Sequence, residues 1–221
     1  MKKNNKKITT LAILAVAVVG LSIGFAAFSN VLTISSGATV TPDASTFNVD
    51  FSAAADEVDT TTAVTKEVTG TGVEATDATI DNSTNPTIKN LKATFTEPGQ
   101  KVVYTFYAYN AGEYTAYLNA INFINISGES TAKKCTAKGD TTQALVDAAC
   151  NAISVTVKAG DVTATTTNDA ISGKSIAKGA SHTITVTIEY AEKYNSADSP
   201  RADGEFDVTF GDISLTYGSV D

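Results

Sequence analysis

Residues 98–126, PGQKVVYTFYAYNAGEYTAYLNAINFINI, decide the fold predicted for this chain. Pro98-Gly99 is a turn signal, and β-branched and aromatic residues then dominate the run Lys101–Tyr109. Apolar groups lie on both alternating faces of that run, which predicts a central strand covered on both sides. Asn110-Ala111-Gly112 predicts a corner, because Asn bonds its own backbone and Gly accepts positive φ. Thr115–Ile126 returns as a second strand. Its more apolar side carries Leu118, Ala120, Ile124 and Ile126.

Two strands cannot stand alone in water, so the rest of the chain must supply a facing sheet. Further strands are predicted at 45–51, 87–96, 152–159, 181–190 and 206–217. In the first of these Phe47, Val49 and Phe51 share a face, and residues 183–190 alternate strictly between polar and apolar. In the last strand the inward parity changes, which predicts a bulge at Gly211-Asp212. Residues 53–86 predict mainly loops and edge segments. The fold class predicted is an all-β antiparallel β-sandwich, jelly-roll-like or immunoglobulin-like.

One insert departs from the β pattern. Residues 140–149 predict a short helix, with Asp140 as N-cap and Gln143 completing a capping box. Cys135 and Cys150 flank this helix, and no C-x-x-C or nearby His favours a metal site. In an exported chain two such cysteines predict one disulfide, which closes the insert and contributes about 3 kcal/mol.

The N-terminus has the pattern of an export signal. Residues 1–7 are basic, and residues 8–28 are apolar apart from scattered Thr, Ser and Gly. The apolar run is slightly long for a signal peptide and slightly short for a membrane span, so both a cleaved leader and an uncleaved anchor stay open. The domain organisation predicted is a signal peptide at 1–27, an extended segment at 28–44 and a sandwich domain at 45–221.

The charge of the chain limits its partners. The formal net charge is −8, and removal of the four leader lysines leaves 12 basic against 24 acidic residues, a net charge of −12. Such a surface repels the phosphates of nucleic acids and anionic lipid headgroups. We therefore expect no nucleic acid partner, and contact with a membrane only through an uncleaved leader.

Two motifs give the chain a family resemblance. The Pro98-Gly99 turn, the aromatic strand and the Asn110-x-Gly112 corner resemble the central part of the TasA and camelysin family of secreted β-sandwich proteins. Phe25-Ala26-Ala27-Phe28 resembles the site that the SipW-type signal peptidase cuts in that family. The resemblance implies cleavage between Ala27 and Phe28, with a mature chain that starts at Phe28.

The chain offers little for catalysis. Its one histidine, His182, stands beside a strand start, and there is no H-E-x-x-H motif and no G-x-S-x-G elbow. We therefore expect no enzyme activity and no cofactor, although camelysin-like proteins are often described as metallopeptidases. Calcium is the alternative ligand for two acidic groups, Asp56/Glu57/Asp59 and Asp203/Glu205/Asp207.

The function that the resemblance implies is structural. The family includes subunits of extracellular fibres, in which the N-terminal segment of one subunit completes the sheet of the next. Here the donor strand would carry Phe28, Leu32 and Ile34 on one face, and the partners would be further copies of the chain and the signal peptidase. The location implied is the extracellular matrix or cell surface. The alternatives are a secreted camelysin-like metallopeptidase and a membrane-anchored surface adhesin.

Overall fold

The computed structural model describes residues 29–34, 47–83, 86–126, 128–191 and 204–219. The predicted leader, 1–27, and most of the predicted segment 28–44 lie outside these residues. In chain order the elements are β1 (Ser29–Ile34), β2 (Val49–Ser52), β3 (Thr65–Thr69), β4 (Glu74–Ala75), β5 (Thr79–Asp81), β6 (Thr87–Lys89), β7 (Lys92–Phe95), β8 (Lys101–Asn110), β9 (Ala116–Phe123), β10 (Lys133–Ala137), α1 (Gln143–Cys150), β11 (Ile153–Ala159), β12 (Val162–Ala164), β13 (Ser175–Ile176), β14 (Ser181–Tyr190), β15 (Phe206–Phe210) and β16 (Ile213–Gly218).

The strands form three mainly antiparallel sheets. Sheet A has the order β13-β9-β16-β1-β6-β5, and sheet C has the order β10-β15-β7-β4. Sheet B has the order β12-β11-β14-β8-β2, and β3 pairs with the part of β8 that β2 leaves free. The all-β sandwich predicted from the sequence is confirmed.

Sheets A and C together face sheet B. The ring of Tyr190 in β14 lies 6.2 Å from that of Phe95 and 5.4 Å from that of Phe206, both in sheet C. At the other end of β14, His182 lies against Tyr217 of sheet A, with ring centroids 5.9 Å apart. The core therefore lies between sheet B on one side and the combined layer of A and C on the other.

The stretch at 98–126 forms the predicted pair β8 and β9, with two differences. In β8 the side of Val102, Tyr104, Phe106 and Ala108 is buried, but the other side is half-buried rather than covered. Strand β9 ends at Phe123, and Ile124 beyond it is 42% exposed. The corner forms through Asn110, whose Oδ1 accepts from the Gly112 N–H at 3.1 Å. Gly112 does not take the positive φ that its place in the corner predicts, whereas Gly99 of the Pro-Gly turn has a φ of 89°.

Two predicted strands each divide between sheets. Residues 87–96 form β6 in sheet A and β7 in sheet C, because Asn90 takes a positive φ of 65° and turns the chain. Residues 206–218 form β15 in sheet C and β16 in sheet A, so Gly211-Asp212 is the crossing between sheets and not a bulge. The buried positions change parity between Ile88 and Leu91 and between Val208 and Ile213, and both changes reflect the change of sheet. The register shift that does occur lies at Thr216/Tyr217 against β9.

Candidate assembly site at the N-terminal strand

Strand β1 lies inside sheet A, although only residues 35–46 connect it to the rest of the sandwich. All six of its residues pair antiparallel with β16, from Ser29 opposite Gly218 to Ile34 opposite Ile213. On its other side, Thr33 pairs with Thr87 of β6 in parallel. We call this position, between β16 and β6, the N-terminal slot.

The register places the predicted donor residues at core positions. Leu32 lies opposite Leu215 and Ile34 opposite Ile213. Leu215 and Ile213 have 0% and 1% of their surface exposed. Directly opposed residues of an antiparallel pair lie on the same face of the sheet, so these positions of β1 belong to the core face. Ala27 and Phe28, the predicted cleavage residues, lie outside the described part of the chain.

The slot also holds the edge of sheet A together. Among the described strands, β5 and β6 form a hairpin whose only pairing with the rest of sheet A is through β1. Their core residues Ile80 and Ile88 are buried. Without a strand in the slot, β16 would expose a six-residue edge and the hairpin would lose its link to the sheet. Unpaired edges of that length readily accept another strand.

His182 packs at one end of this region. Its Nδ1 lies 3.1 Å from the hydroxyl oxygen of Tyr217, and Tyr217 pairs with Asn30 of β1. A further hydrogen bond joins the ring to the Ser175 backbone. A neutral imidazole satisfies both contacts, since one nitrogen donates to the backbone and the other accepts from the phenol. Burial lowers the pKa of His182 and raises that of Tyr217. The histidine therefore acts as a neutral link between sheets A and B.

The disulfide between Cys135 and Cys150 is confirmed, with Cα atoms 5.8 Å apart. The capping box predicted with it is wrong: α1 begins at Gln143, and its N-cap, Thr142, makes no side-chain capping bond. Gln143 instead ties α1 to β10, donating to the Cys135 carbonyl at 2.9 Å and accepting from the Ala137 N–H at 2.8 Å. Helix and bridge together cover the edge of sheet C.

Members of both acidic groups considered for calcium have other partners, and Asp203 of the second group lies outside the described residues. Asp59 accepts hydrogen bonds from the backbone N–H groups of Thr61 and Thr62, and its pKa is lowered by these and by the Thr hydroxyls. Asp207 pairs with Lys92 at 2.6 Å, and Glu205 with Lys138 at 3.2 Å. Across the described ranges no group of three His, Cys, Asp or Glu residues is placed to hold a metal ion.

Comparison with known proteins adds no relative: no family model, no curated protein and no solved structure matches this chain. Among the described residues, no helix has the length and hydropathy needed to cross a bilayer.

Sequence reasoning missed one polar site. Lys133 extends from β10 to the Ile153 carbonyl of β11, on the opposite layer. Half-burial lowers the pKa of its ammonium group. The sequence shows only a Lys-Lys pair before Cys135, and nothing in that pattern separates this lysine from Lys134, which pairs at the surface with Glu129.

Proposed function

We propose that this chain is an exported structural protein, a subunit of extracellular fibres of a biofilm matrix or cell surface, in the manner of the TasA and camelysin family. Its subunits assemble when the N-terminal strand of one copy occupies the N-terminal slot of the next. The observation that carries the proposal is the pairing of β1: the first described strand, joined to the rest of the fold by 12 residues, fills an interior position of sheet A.

Exchange between copies follows from the physics of this arrangement. A strand from a second copy makes the same backbone pairs with β16 and β6 that β1 makes within one chain. The choice between them therefore depends on protein concentration and on residues 35–46 rather than on new contacts. Twelve residues reach up to about 40 Å when extended, enough to carry the strand to a neighbouring copy. Each copy donates its N-terminal strand at one surface and accepts a strand into its slot at another. The contact is therefore heterologous and propagates as a filament.

Deletion of residues 28–36 tests this function. The variant should remain a folded, soluble monomer, less stable than the full exported chain, and should form no fibres by electron microscopy. Circular dichroism checks its fold. Addition of a synthetic peptide of residues 28–36 should restore stability without restoring fibres, because a free strand fills the slot but links no copies. Fibres of normal appearance from the deletion variant would refute strand exchange.

Single charges refine the test. Leu32→Asp or Ile34→Asp should weaken assembly more than Ser29→Asp or Thr33→Asp, because their register positions are opposite core residues. The four variants carry the same added charge, so a difference between them reports position and not charge. Equal loss in all four would point to general repulsion between acidic copies instead.

Three measurements separate the alternatives. The intact mass of the exported protein should correspond to a chain that starts at Phe28, and a chain that keeps residues 8–28 would favour an anchored adhesin. Zinc analysis and a casein-cleavage assay test the metallopeptidase hypothesis. We expect the purified protein to contain no zinc and to leave casein uncleaved. The engagement of His182 with Tyr217 and Ser175 supports the structural reading.

A further inference from the structure

A groove of about 410 Å³ opens where sheet B separates from the combined layer of sheets A and C. Its size falls within the usual range of ligand sites. Its apolar lining includes Phe123, Ile153, Val155, Phe210 and Ile213. Lys133, Asn125, Thr131 and Asp212 are among its polar residues. Its lining shares Ile213 with the N-terminal slot, but the strand edge and the cation described below belong to β11 and β10, outside that slot.

One wall of the groove is an edge of β11 that has no partner strand among the described residues. Strand β12 pairs with β11 only from Val157 to Ala159. Beyond Ala164 the chain crosses to sheet A, where Thr167 Oγ1 accepts from the Phe123 N–H and Asn168 bridges to Ile121. This departure leaves the outer edge of Ile153 to Thr156 free of a strand within the described chain.

Backbone parity shows which groups that edge presents. The carbonyl of Ala152 accepts from Ala191, and the N–H of Gly160 donates to Thr183, so even-numbered residues of β11 bond toward β14. In an antiparallel pair the alternate residues then direct their N–H and C=O to the other side. The N–H and C=O of Val155 therefore point to the free edge. In the described part of the chain they have no hydrogen-bond partner.

The groove also contains an ammonium group, that of Lys133, which pairs with no carboxylate in the described part of the chain. The ammonium of Lys133 donates to the carbonyl of Ile153, and it forms no ion pair with any described carboxylate. Lys134 beside it does, as do six other described lysines: Lys66, Lys89, Lys92, Lys138, Lys174 and Lys178. An ammonium group has three donors, so Lys133 can accept an anionic partner without losing its present bond.

We propose that this groove binds an extended peptide segment of another protein chain. The segment adds to the free edge at Val155, places an apolar side chain against Phe123 and Phe210, and presents an Asp or Glu carboxylate to Lys133. Strand addition of this kind takes affinity from the main chain and specificity from alternate side chains. A small amphiphile with a carboxylate could contact Lys133 and the apolar wall, but it would leave the N–H and C=O of Val155 unpaired. A peptide can bond these groups as well, so we favour a peptide as the ligand.

The test uses the full exported chain and two blocked, fluorescently labelled peptides, acetyl-TVTDVTV-amide and acetyl-TVTNVTV-amide, in fluorescence polarisation. Wild-type protein should bind the Asp peptide about tenfold more tightly than the Asn peptide, as expected for one charge-assisted bond. Lys133→Met keeps the apolar stem and should abolish that preference. Val155→Pro removes the free N–H and should weaken both peptides.

A matched control is Thr163→Pro in β12. Thr163 lies opposite Lys158 at a position that does not bond β11, so its N–H also faces outward, at the edge away from the groove. The Thr163→Pro variant should bind both peptides with the affinity of the wild-type protein. Circular dichroism checks the fold of each variant, and if Val155→Pro does not fold, the Lys133→Met comparison decides alone. Equal affinity of wild type for the two peptides, an unchanged preference in Lys133→Met, or no binding at about 1 mM peptide would overturn the proposal.

Discussion

At the scale of single residues, His182 makes stability depend on pH. Its pKa in the folded protein lies below the unfolded value near 6.5, because burial disfavours the charged ring. The unfolded chain thus binds more protons between the folded pKa and 6.5, and stability is lost as the pH falls through that window. The charged groups around the ring, Asp161 and Lys174, are ion-paired with each other.

We expect the free energy of unfolding to fall between pH 7.5 and pH 5.5, measured by urea titration. His182→Gln keeps a polar side chain of similar reach but does not titrate, so its stability should change less over the same range. The two proteins should therefore differ more at pH 7.5 than at pH 5.5. Parallel pH profiles would mean that the stability lost on acidification comes from other groups.

Gly211 is the second residue that a substitution can test. A Cβ atom there would lie 2.0 Å from the carbonyl oxygen of Ile124 and 2.9 Å from the backbone nitrogen of Ile126. Backbone atoms cannot move aside as a side-chain end can, so the crossing from β15 to β16 would shift. Gly211→Ala should lower the free energy of unfolding by about 3 kcal/mol, the upper part of the range typical of overpacked sites.

The control for Gly211→Ala is Gly139→Ala. Gly139 has a φ of 62° and nothing within 4 Å of an added Cβ. Its substitution should cost only the strain of the left-handed backbone, about 1 kcal/mol. Chemical denaturation of both variants gives the comparison. A smaller loss at Gly211 than at Gly139 would show that the crossing adapts.

At the scale of elements, the sequence predicted strands where one face is buried and failed where the chain changes sheet. Ile184, Val186, Ile188 and Tyr190 are all buried as their alternation predicts. Polar and apolar residues also alternate regularly within each of β6, β7, β15 and β16. A change of sheet and a bulge would both shift the parity of that alternation between the two halves of each segment. Only the contacts of the other strands distinguish these two causes.

The predicted helix shows the same limit. Gln143 occupies a capping-box position in the sequence, but its side chain bonds β10 instead. The spacing of Asp140 and Gln143 indicates only which capping bonds are possible within the helix. The side chain of Gln143 instead bonds free backbone groups of β10, which the local sequence does not reveal. The alternation of Leu32 and Ile34 predicts that β1 is a strand. It does not predict that β1 pairs with β16 and β6, because those strands lie far away in the sequence.

The disulfide between Cys135 and Cys150 should stabilise its own loop more than the sandwich. It closes a loop of 15 residues, and α1 keeps other anchors in Gln143 and the buried Val146 and Ala149. Cys135→Ser/Cys150→Ser should therefore lower stability by about 3 kcal/mol at most and leave the sandwich folded. Urea titration with circular dichroism measures both. Loss of the folded state would mean that the insert supports the core and not only itself.

At the scale of the whole molecule, the question is which copy fills each slot. Val31 lies opposite Thr216 in the pairing of β1 with β16, so cysteines at these two positions should oxidise wherever the strands pair. In Val31→Cys/Thr216→Cys, pairing within one chain gives a cross-linked monomer. Pairing between chains gives a ladder of dimers, trimers and longer species on a non-reducing gel. The control is Val103→Cys/Thr187→Cys, an opposed pair of β8 and β14 inside sheet B, which should give cross-linked monomer under all conditions.

We expect the ladder to appear in fibres and the cross-linked monomer to dominate in dilute protein, because mass action favours exchange as concentration rises. Oxidation of the dilute monomer before concentration should then block fibres, since the locked strand can no longer leave its own slot. Reduction should restore assembly in the same sample. Fibres that grow from the locked monomer would show that copies associate through another surface, with β1 kept in its own chain.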